Sequence, residues 1–449
     1  MKAPFQISDA TLNDLVELAL DAARALGASD AAAEISESIG LSVSTRKTAV
    51  ETIEHTRDKG LSISVYSGQR RGHASTSDFS PAAIRQAAEA AWNIARFTAE
   101  DSAAGLPEAD QLARRFQDLD LYHPWDLDTA QAIDIAQRCE AAALGVSKQV
   151  VNSEGANVYT SAGHFVLANT RGFKAGYPYS RHSIGVAPIA GDASGMQRDD
   201  WYTASRVPGE LAAAEKVGDY AARRAQTRQG ARKLRSRKAR VLFEAPLAGG
   251  LVGNFVQAAS GGSLYRKSSF LIDALDKPLF ASHISIHEDP FLRRGQGSSP
   301  FDEEGVAGRE RDVVADGVLR GYFLSSYSAR KLGMATTGNA GGAHNLELRS
   351  TRTRPADDFA AMLRKLDTGL LVTELIGQGV NYVTGDYSRG ASGFWVHGGE
   401  IAYPVEEITI AGNLRDMYAH IEAVGADRVV RGNRICGSVL IGDMAVGGS

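Results

Sequence analysis

His283 and His287 stand four residues apart in Ser282-His283-Ile284-Ser285-Ile286-His287-Glu288, and on an extended strand their imidazoles share one face with Glu288 beside them. As metal ligands they would need a third donor and an open coordination position. Ile284 and Ile286 alternate with polar neighbours, so two histidines on the polar face of an amphipathic strand is the plainer reading. His287-Glu288 is followed by Asp289-Pro290-Phe291 and no second histidine, which excludes a zincin helix. Cys436 would need a neighbouring base to become a nucleophile, and His344, His397 or His420 could reach it only through the fold. A buried, inert thiol fits as simply. Glu406 and Glu407 are adjacent, so a strand would send them to opposite faces and not into an acid–base pair. In Gly262-Ser263-Leu264-Tyr265-Arg266-Lys267-Ser268, arginine stands where a phosphate loop needs glycine for close backbone approach. No Gly-x-Ser-x-Gly elbow and no strand-coupled Gly-x-Gly-x-x-Gly occurs.

The elements that would position these groups fall into two runs. The 449 residues exceed what one core usually holds, and two domains, 1–230 and 231–449, are expected. Leu12, Leu15, Val16, Ala19, Ala22, Ala23 and Leu26 repeat at helical spacing, with Thr11 as a cap. Residues 31–78 then change to period two and predict an antiparallel meander. Ser80-Pro81 opens a helix burying Ile84, Ala87, Ala88, Ala91 and Ala95. Further helices are expected at 128–145, 209–228, 246–260 and 356–366, with strands at 241–244, 318–324, 370–375 and 406–410. Strands and helices in runs, without strict alternation, indicate an α+β fold: an N-terminal antiparallel sheet with helices, then a β-rich C-terminal domain.

Composition limits the partners. Net charge is −4 and the isoelectric point about 6.2, so a dedicated nucleic-acid binder is disfavoured. The stretch 223–240 nevertheless holds nine basic residues and no acid. It reads either as a nucleic-acid patch or, more plainly, as a solvated helix end and linker. Two cysteines cannot build a cysteine-rich zinc site and are weak evidence for an oxidising compartment. With no apolar leader and no membrane-length apolar stretch, a cytoplasmic protein without membrane contact is expected.

The densest special sequence runs from Asp302-Glu303-Glu304-Gly305-Val306-Ala307-Gly308-Arg309 to Thr336-Thr337-Gly338-Asn339-Ala340-Gly341-Gly342. Glycine-punctuated loops carrying Arg and Asn can grip an extended peptide backbone, and surface turns would look alike. Residues 302–342 resemble the hallmark region of the TldD/PmbA family. VYSGQRRGHASTSDFSP (65–81) and GGEIAYPVEEITIAGNLRDMY (398–418) are similar to its two other recurrent blocks, and the ending CGSVLIGDMAVGG is similar to the PmbA branch, also called TldE.

The resemblance implies a two-domain subunit that dimerises around a substrate channel. In the TldD branch a C-terminal-domain helix carries a His-Glu-x-x-x-His metal motif completed by a late cysteine. The corresponding segment here, Pro246–Ser260, has no histidine and no acid, so Cys436 alone cannot hold zinc. The implied function is the non-catalytic subunit of a heterodimeric zinc metallopeptidase acting on unfolded peptides. No cofactor is expected in this chain, and the zinc is expected in a TldD-like partner. A self-sufficient homodimer using His283, His287 and Cys436, and a non-enzymatic regulator of a DNA-associated enzyme such as DNA gyrase, are the alternatives. Asn254, Arg309 and Asn339 are the channel or interface candidates: Arg309 to hold a carboxylate, Asn339 to bond peptide backbone, and Asn254 on the helix that replaces the metal helix.

Overall fold

Helix α1 (Asp9–Ala25) starts one turn earlier than the Thr11 cap predicts. Ser8 is the cap, its hydroxyl accepting the Thr11 N–H at 3.1 Å. The buried stripe is Leu12, Val16, Ala19, Leu20 and Ala23. The computed structural model describes residues 5–192 and 195–448. The predicted meander is present as β1 (Asp30–Arg46), β2 (Ala49–Ser67) and β3 (Arg70–Thr76), all antiparallel. Helix α2 (Pro81–Phe97) is capped by Ser80 and buries the five residues expected of it. It lies so close to β3 that a Cβ at Gly72 would sit 1.9 Å from the Ala91 carbonyl oxygen.

Helix α3 (Thr129–Gly145) opens with a reciprocal capping box between Asp128 and Gln131. Strands β4 (Val150–Asn169), β5 (Lys174–Ala175), β6 (Pro178–Asp192), β7 (Gly195–Arg198) and β8 (Trp201–Ser205) follow, then α4 (Ala214–Thr227). They join the meander in one eight-stranded sheet with the path β3-β2-β1-β4-β6-β7, where β5 adds to β4 and β8 to β6. Alternation sorts the sheet's two faces. Ala31, Ala33, Ile35, Val166 and Ala168 pack under α1 and α2, whereas Glu34, Ser36, Phe165 and Leu167 face the other way, into a cleft.

The second half opens with β9 (Arg237–Phe243) and runs directly into α5 (Ala245–Ala259) and α6 (Gly261–Tyr265). Strands β10 (Ile284–Asp289), β11 (Arg311–Ala315) and β12 (Val318–Leu319), helix α7 (Ser326–Leu332) and β13 (Asn345–Ser350) follow. The chain continues through α8 (Phe359–Leu366), β14 (Gly369–Ile376), β15 (Asp386–His397), β16 (Glu400–Asn413), α9 (Leu414–Ala419), β17 (Ile421–Val424), β18 (Val429–Arg431), β19 (Arg434–Cys436) and β20 (Val439–Gly447). One sheet has the order β12-β11-β10-β13-β19-β18. The other, β16-β15-β14-β9-β20-β17, closes on itself because β16 also pairs with β20. Their shared core includes Phe243, Phe255, Leu271, Ile286 and Tyr418. The architecture is α+β and mostly β, as the element pattern predicts.

Two expectations in this half need correction. The strand expected over 318–324 stops at Leu319, because the N–H groups of Arg320 and Gly321 turn back to the Val313 carbonyl and Phe323 bonds the end of α5 through Ala259. Residues 326–332, read as part of a glycine-rich loop, form α7, capped by Ser325 and ended by Gly333 at φ +65°.

Candidate functional site

The hallmark segment 302–342 sits where the two halves meet. Leu112 and Val306 form a β-bridge, and the Ala113 N–H bonds the Gly305 carbonyl at 2.9 Å. Phe301 enters a set of aromatic rings, 5.0 Å from Phe173 and 5.6 Å from Tyr177 between centroids. Arg330 on α7 donates to the carbonyls of Ala103 and Gly105 at 3.2 and 2.9 Å. Beside it, Tyr327 and Lys331 both reach the Asp101 carboxylate at 2.7 Å.

This junction leaves a cleft of about 390 Å³. Its floor is the helix-free face of the first sheet, with Glu34, Phe165, Leu167 and Tyr179; its far wall is formed by residues 296–299, 301–303 and 340–344. Asp302 is 4% exposed and accepts the N–H groups of Ala340, Val306 and Glu304 at 2.8–2.9 Å. Burial, with the Glu304 charge adding to it, pushes its carboxyl up to about 7 against those donors. Glu34 is also raised, first by burial and then by the charge of Glu303. Gly341 is required here: its φ is +92°, and a Cβ would fall 2.6 Å from the Glu303 carboxylate. At the other end stand Arg181 and Arg206. Backbone amides and carbonyls, apolar rings and separated charges of both signs can hold a short extended peptide segment.

Of the residues singled out from the sequence, Asp302, Glu303, Gly341 and His344 line this cleft, whereas Asn254, Arg309, Asn339, His283 and His287 lie around it. Asn339 is buried and fully engaged: its amide donates to Glu288 at 2.7 Å and the Gly342 carbonyl at 3.0 Å, and its oxygen accepts from Arg311 and Thr337. It shapes the 338–342 loop that walls the cleft. Arg309 is exposed, on the chain leading into β11. Asn254 is half-buried on α5, accepting the Tyr382 hydroxyl at 3.0 Å. His283 lies just before β10, both its nitrogens used by the Ser350 hydroxyl and the Ile421 carbonyl. His287 on β10 pairs with Asp312 and Glu310 at 2.8 and 3.1 Å. The two imidazoles therefore have separate partners and no shared site. Glu406 accepts from Gln197 and Glu407 pairs with Lys233, so they act apart, as their adjacency predicts.

Sequence reading missed Glu34, Arg181, Arg206 and Glu288. Glu34 is visible only as one acid in an alternating strand. Arg206 comes from a turn after β8 with no motif around it. Glu288 was seen only beside a histidine pair, yet it is 1% exposed and bonds Arg311, Asn339 and the His344 N–H at 2.7–2.9 Å.

Around α5 the donor chemistry is cationic. The helix has no His, Cys, Asp or Glu, and the Arg434 guanidinium lies against it beside Gly253. Arg434 has no carboxylate within ion-pair reach among the described residues, and its buried Nε has no hydrogen-bond partner. Cys436 is 1% exposed, its Sγ reaches only the Gly437 carbonyl at 3.1 Å, and burial drives the thiol well above its ordinary range. Among the described residues no group of three or more His, Cys, Asp or Glu is arranged to hold a metal. A guanidinium and a neutral thiol do not fit a divalent cation.

The basic run at 223–240 is largely occupied. Arg224 pairs with Glu244 at 2.6 Å and Asp199 at 3.2 Å, Arg228 pairs with Glu374, and Arg240 with Glu422. Arg232 stacks 3.5 Å over the Tyr403 ring and Arg237 5.0 Å over Trp395. Arg224 and Arg228 tie α4 to the second half through carboxylates that are themselves mostly buried. No helix among the described residues is long and apolar enough to cross a membrane.

Three segments match one family: residues 31–95 its PmbA/TldA metallopeptidase domain 1, 122–229 its central domain and 236–448 its C-terminal domain. The chain is 46% identical to Metalloprotease PmbA of Escherichia coli O157:H7, over 97% of this chain and 96% of that one. Two crystal structures share the fold. One, a candidate modulator of DNA gyrase from Bacteroides thetaiotaomicron, has a TM-score of 0.92 at 24% identity, covering 99% of this chain and all (100%) of its own. The other, TldE from Thermococcus kodakarensis, has a TM-score of 0.83 at 17% identity, covering 97% and 99%. With domain matches along nearly its whole length and that level of identity to PmbA, the chain belongs to the PmbA/TldD metallopeptidase family, in its PmbA (TldE) branch.

Proposed function

We propose that this chain is the peptide-holding, non-catalytic subunit of a PmbA/TldD metallopeptidase, and that hydrolysis is carried out by zinc in a TldD-like partner. The observation that carries the reading is the chemistry around α5. Where the catalytic branch is expected to supply two imidazoles and an acid, this helix presents glycines and an aliphatic face, with a cationic Arg434 beside Gly253. A positive side chain there opposes capture of a second positive charge. The cleft at the junction of the halves, walled by the hallmark segment, supplies the peptide-holding part of the reading.

The test is co-purification with a TldD-type chain, then metal content and hydrolysis of an unstructured peptide by each chain alone and by the mixture. The expected outcome is metal-dependent cleavage in the mixture, cleavage confined to the metal-bearing chain's contribution, and little zinc in this chain. Stoichiometric zinc bound by this chain's own side chains, or cleavage by this chain as a homodimer, would overturn the reading.

A further inference from the structure

Arg206 poses an electrostatic problem that the fold leaves unsolved. It is 3% exposed, and its guanidinium donates to three main-chain carbonyls: Gly295 at 3.0 Å, Ser180 at 3.3 Å and Gln296 at 3.1 Å. None of these partners carries charge. Among the described residues no carboxylate lies within ion-pair distance of it. A buried cation satisfied only by dipoles keeps its full charge and lacks the counter-ion that such groups normally take with them. Arg181 approaches the same loop, donating to the Gln296 carbonyl at 3.3 Å, and it too has no acid partner among the described residues. Burial, with the neighbouring Arg181 charge adding to it, lowers the Arg206 guanidinium to about 10.

Both arginines line the cleft, together with Glu34, Asp302 and Glu303. The acids and the arginines share this space without pairing: Glu34 stands opposite Leu167 of β4, with the Glu303 charge beside it, and Arg181 stands opposite Ser161 of the same strand, so the cavity is negative at one end and positive at the other. Tyr177, Tyr179, Phe165 and Leu167 provide aromatic and apolar surface between them. The Tyr177 hydroxyl is held by Ser299 at 2.9 Å, which fixes that wall.

We propose that Arg181 and Arg206 form a carboxylate-binding end of the cleft, which seats a peptide by its C-terminal carboxylate or by an acidic side chain near that end. The inference rests on the peptide-holding reading above and deepens it by naming the chemistry that is recognised. An arriving carboxylate supplies the missing counter-charge and forms charge-assisted hydrogen bonds in a site already partly dried. The acids at the opposite end repel a carboxylate, so they set the direction in which the peptide lies.

The test uses the full-length chain, alone and with a TldD-type chain, and fluorescence anisotropy of an unstructured labelled peptide in three forms. These carry a free C-terminal acid, a C-terminal amide, or an amide with glutamate as the last residue. The free acid is expected to bind about tenfold or more tightly than the plain amide. Tight binding of the glutamate form identifies a side-chain carboxylate as an acceptable source, and weak binding restricts the site to the terminus. Arg181→Gln, on an exposed side chain, should bring the acid and the plain amide to nearly equal affinity while leaving the melting temperature unchanged. Arg206→Lys, which keeps the charge but not the fork, should weaken the preference in part. Equal binding of acid and plain amide overturns the carboxylate site while sparing the peptide-holding reading. Absence of binding for all three forms, alone and in the mixture, overturns both.

Discussion

Arg434 rests on Gly253 of α5 so closely that a Cβ at that glycine would come within 2.7 Å of Nη1 and 2.8 Å of Cζ. The contact joins β19 to α5. It also sets two opposing effects on a Gly253→Ala substitution. Alanine gains about 1 kcal/mol in helix propensity over glycine, and the obstructing atoms are the far end of a flexible side chain. The expected net change in urea denaturation is within about 1 kcal/mol. Gly72→Ala is the contrast, because its Cβ would meet the Ala91 carbonyl of α2 at 1.9 Å. Backbone cannot swing aside, and a loss of about 3 kcal/mol is expected.

Cys436 is expected to be inert. Iodoacetamide should label the native chain far more slowly than the unfolded chain, because burial keeps the thiol protonated. Cys436→Ser should leave zinc content where it was and cost about 1–3 kcal/mol through a buried hydroxyl with few partners. A drop in bound zinc on this substitution would contradict the account of α5.

Glu288 holds Arg311 and Asn339 together under the cleft wall. Glu288→Ala leaves a largely buried guanidinium without its acid, and a loss of about 3–5 kcal/mol is expected. Glu288→Gln keeps an acceptor for Asn339 and should cost less. Chemical denaturation of both variants checks the order.

Asp101 joins the halves by accepting from Lys331 and Tyr327, and Lys331 foremost, with the Ala103 N–H and Tyr327, holds its carboxyl down at about 2 against an ordinary 3.8. A depressed folded-state value means stability that is present above pH 3.8 and is lost as pH falls toward 2. Asp101→Asn should flatten the pH dependence in that window and leave the slope above pH 5 unchanged. The pair is partly exposed, with the side chains 32% and 31% accessible, so salt should shrink the effect.

Local signals in the sequence determined most of the elements. Ser80-Pro81 and Asp128 start helices because their side chains satisfy orphan N–H groups within the same turn. Period-two alternation in β1 follows from the pleat and needs no distant partner. The absence of ligands on α5 was equally legible, since it is a matter of residue type alone. The cleft was not. Glu34, Arg206 and Asp302 lie far apart in the chain, and only the packing of the first sheet on the 295–303 and 340–344 loops brings them around one space. Asn339, read as free to bond a peptide, is saturated by Glu288 and Arg311, and no local pattern announces that network. Residue types and short-range periodicity set which groups exist and which helix or strand carries them. Whether a charge is paired, buried or left facing a cavity depends on contacts between distant segments, and those are made only when the chain folds.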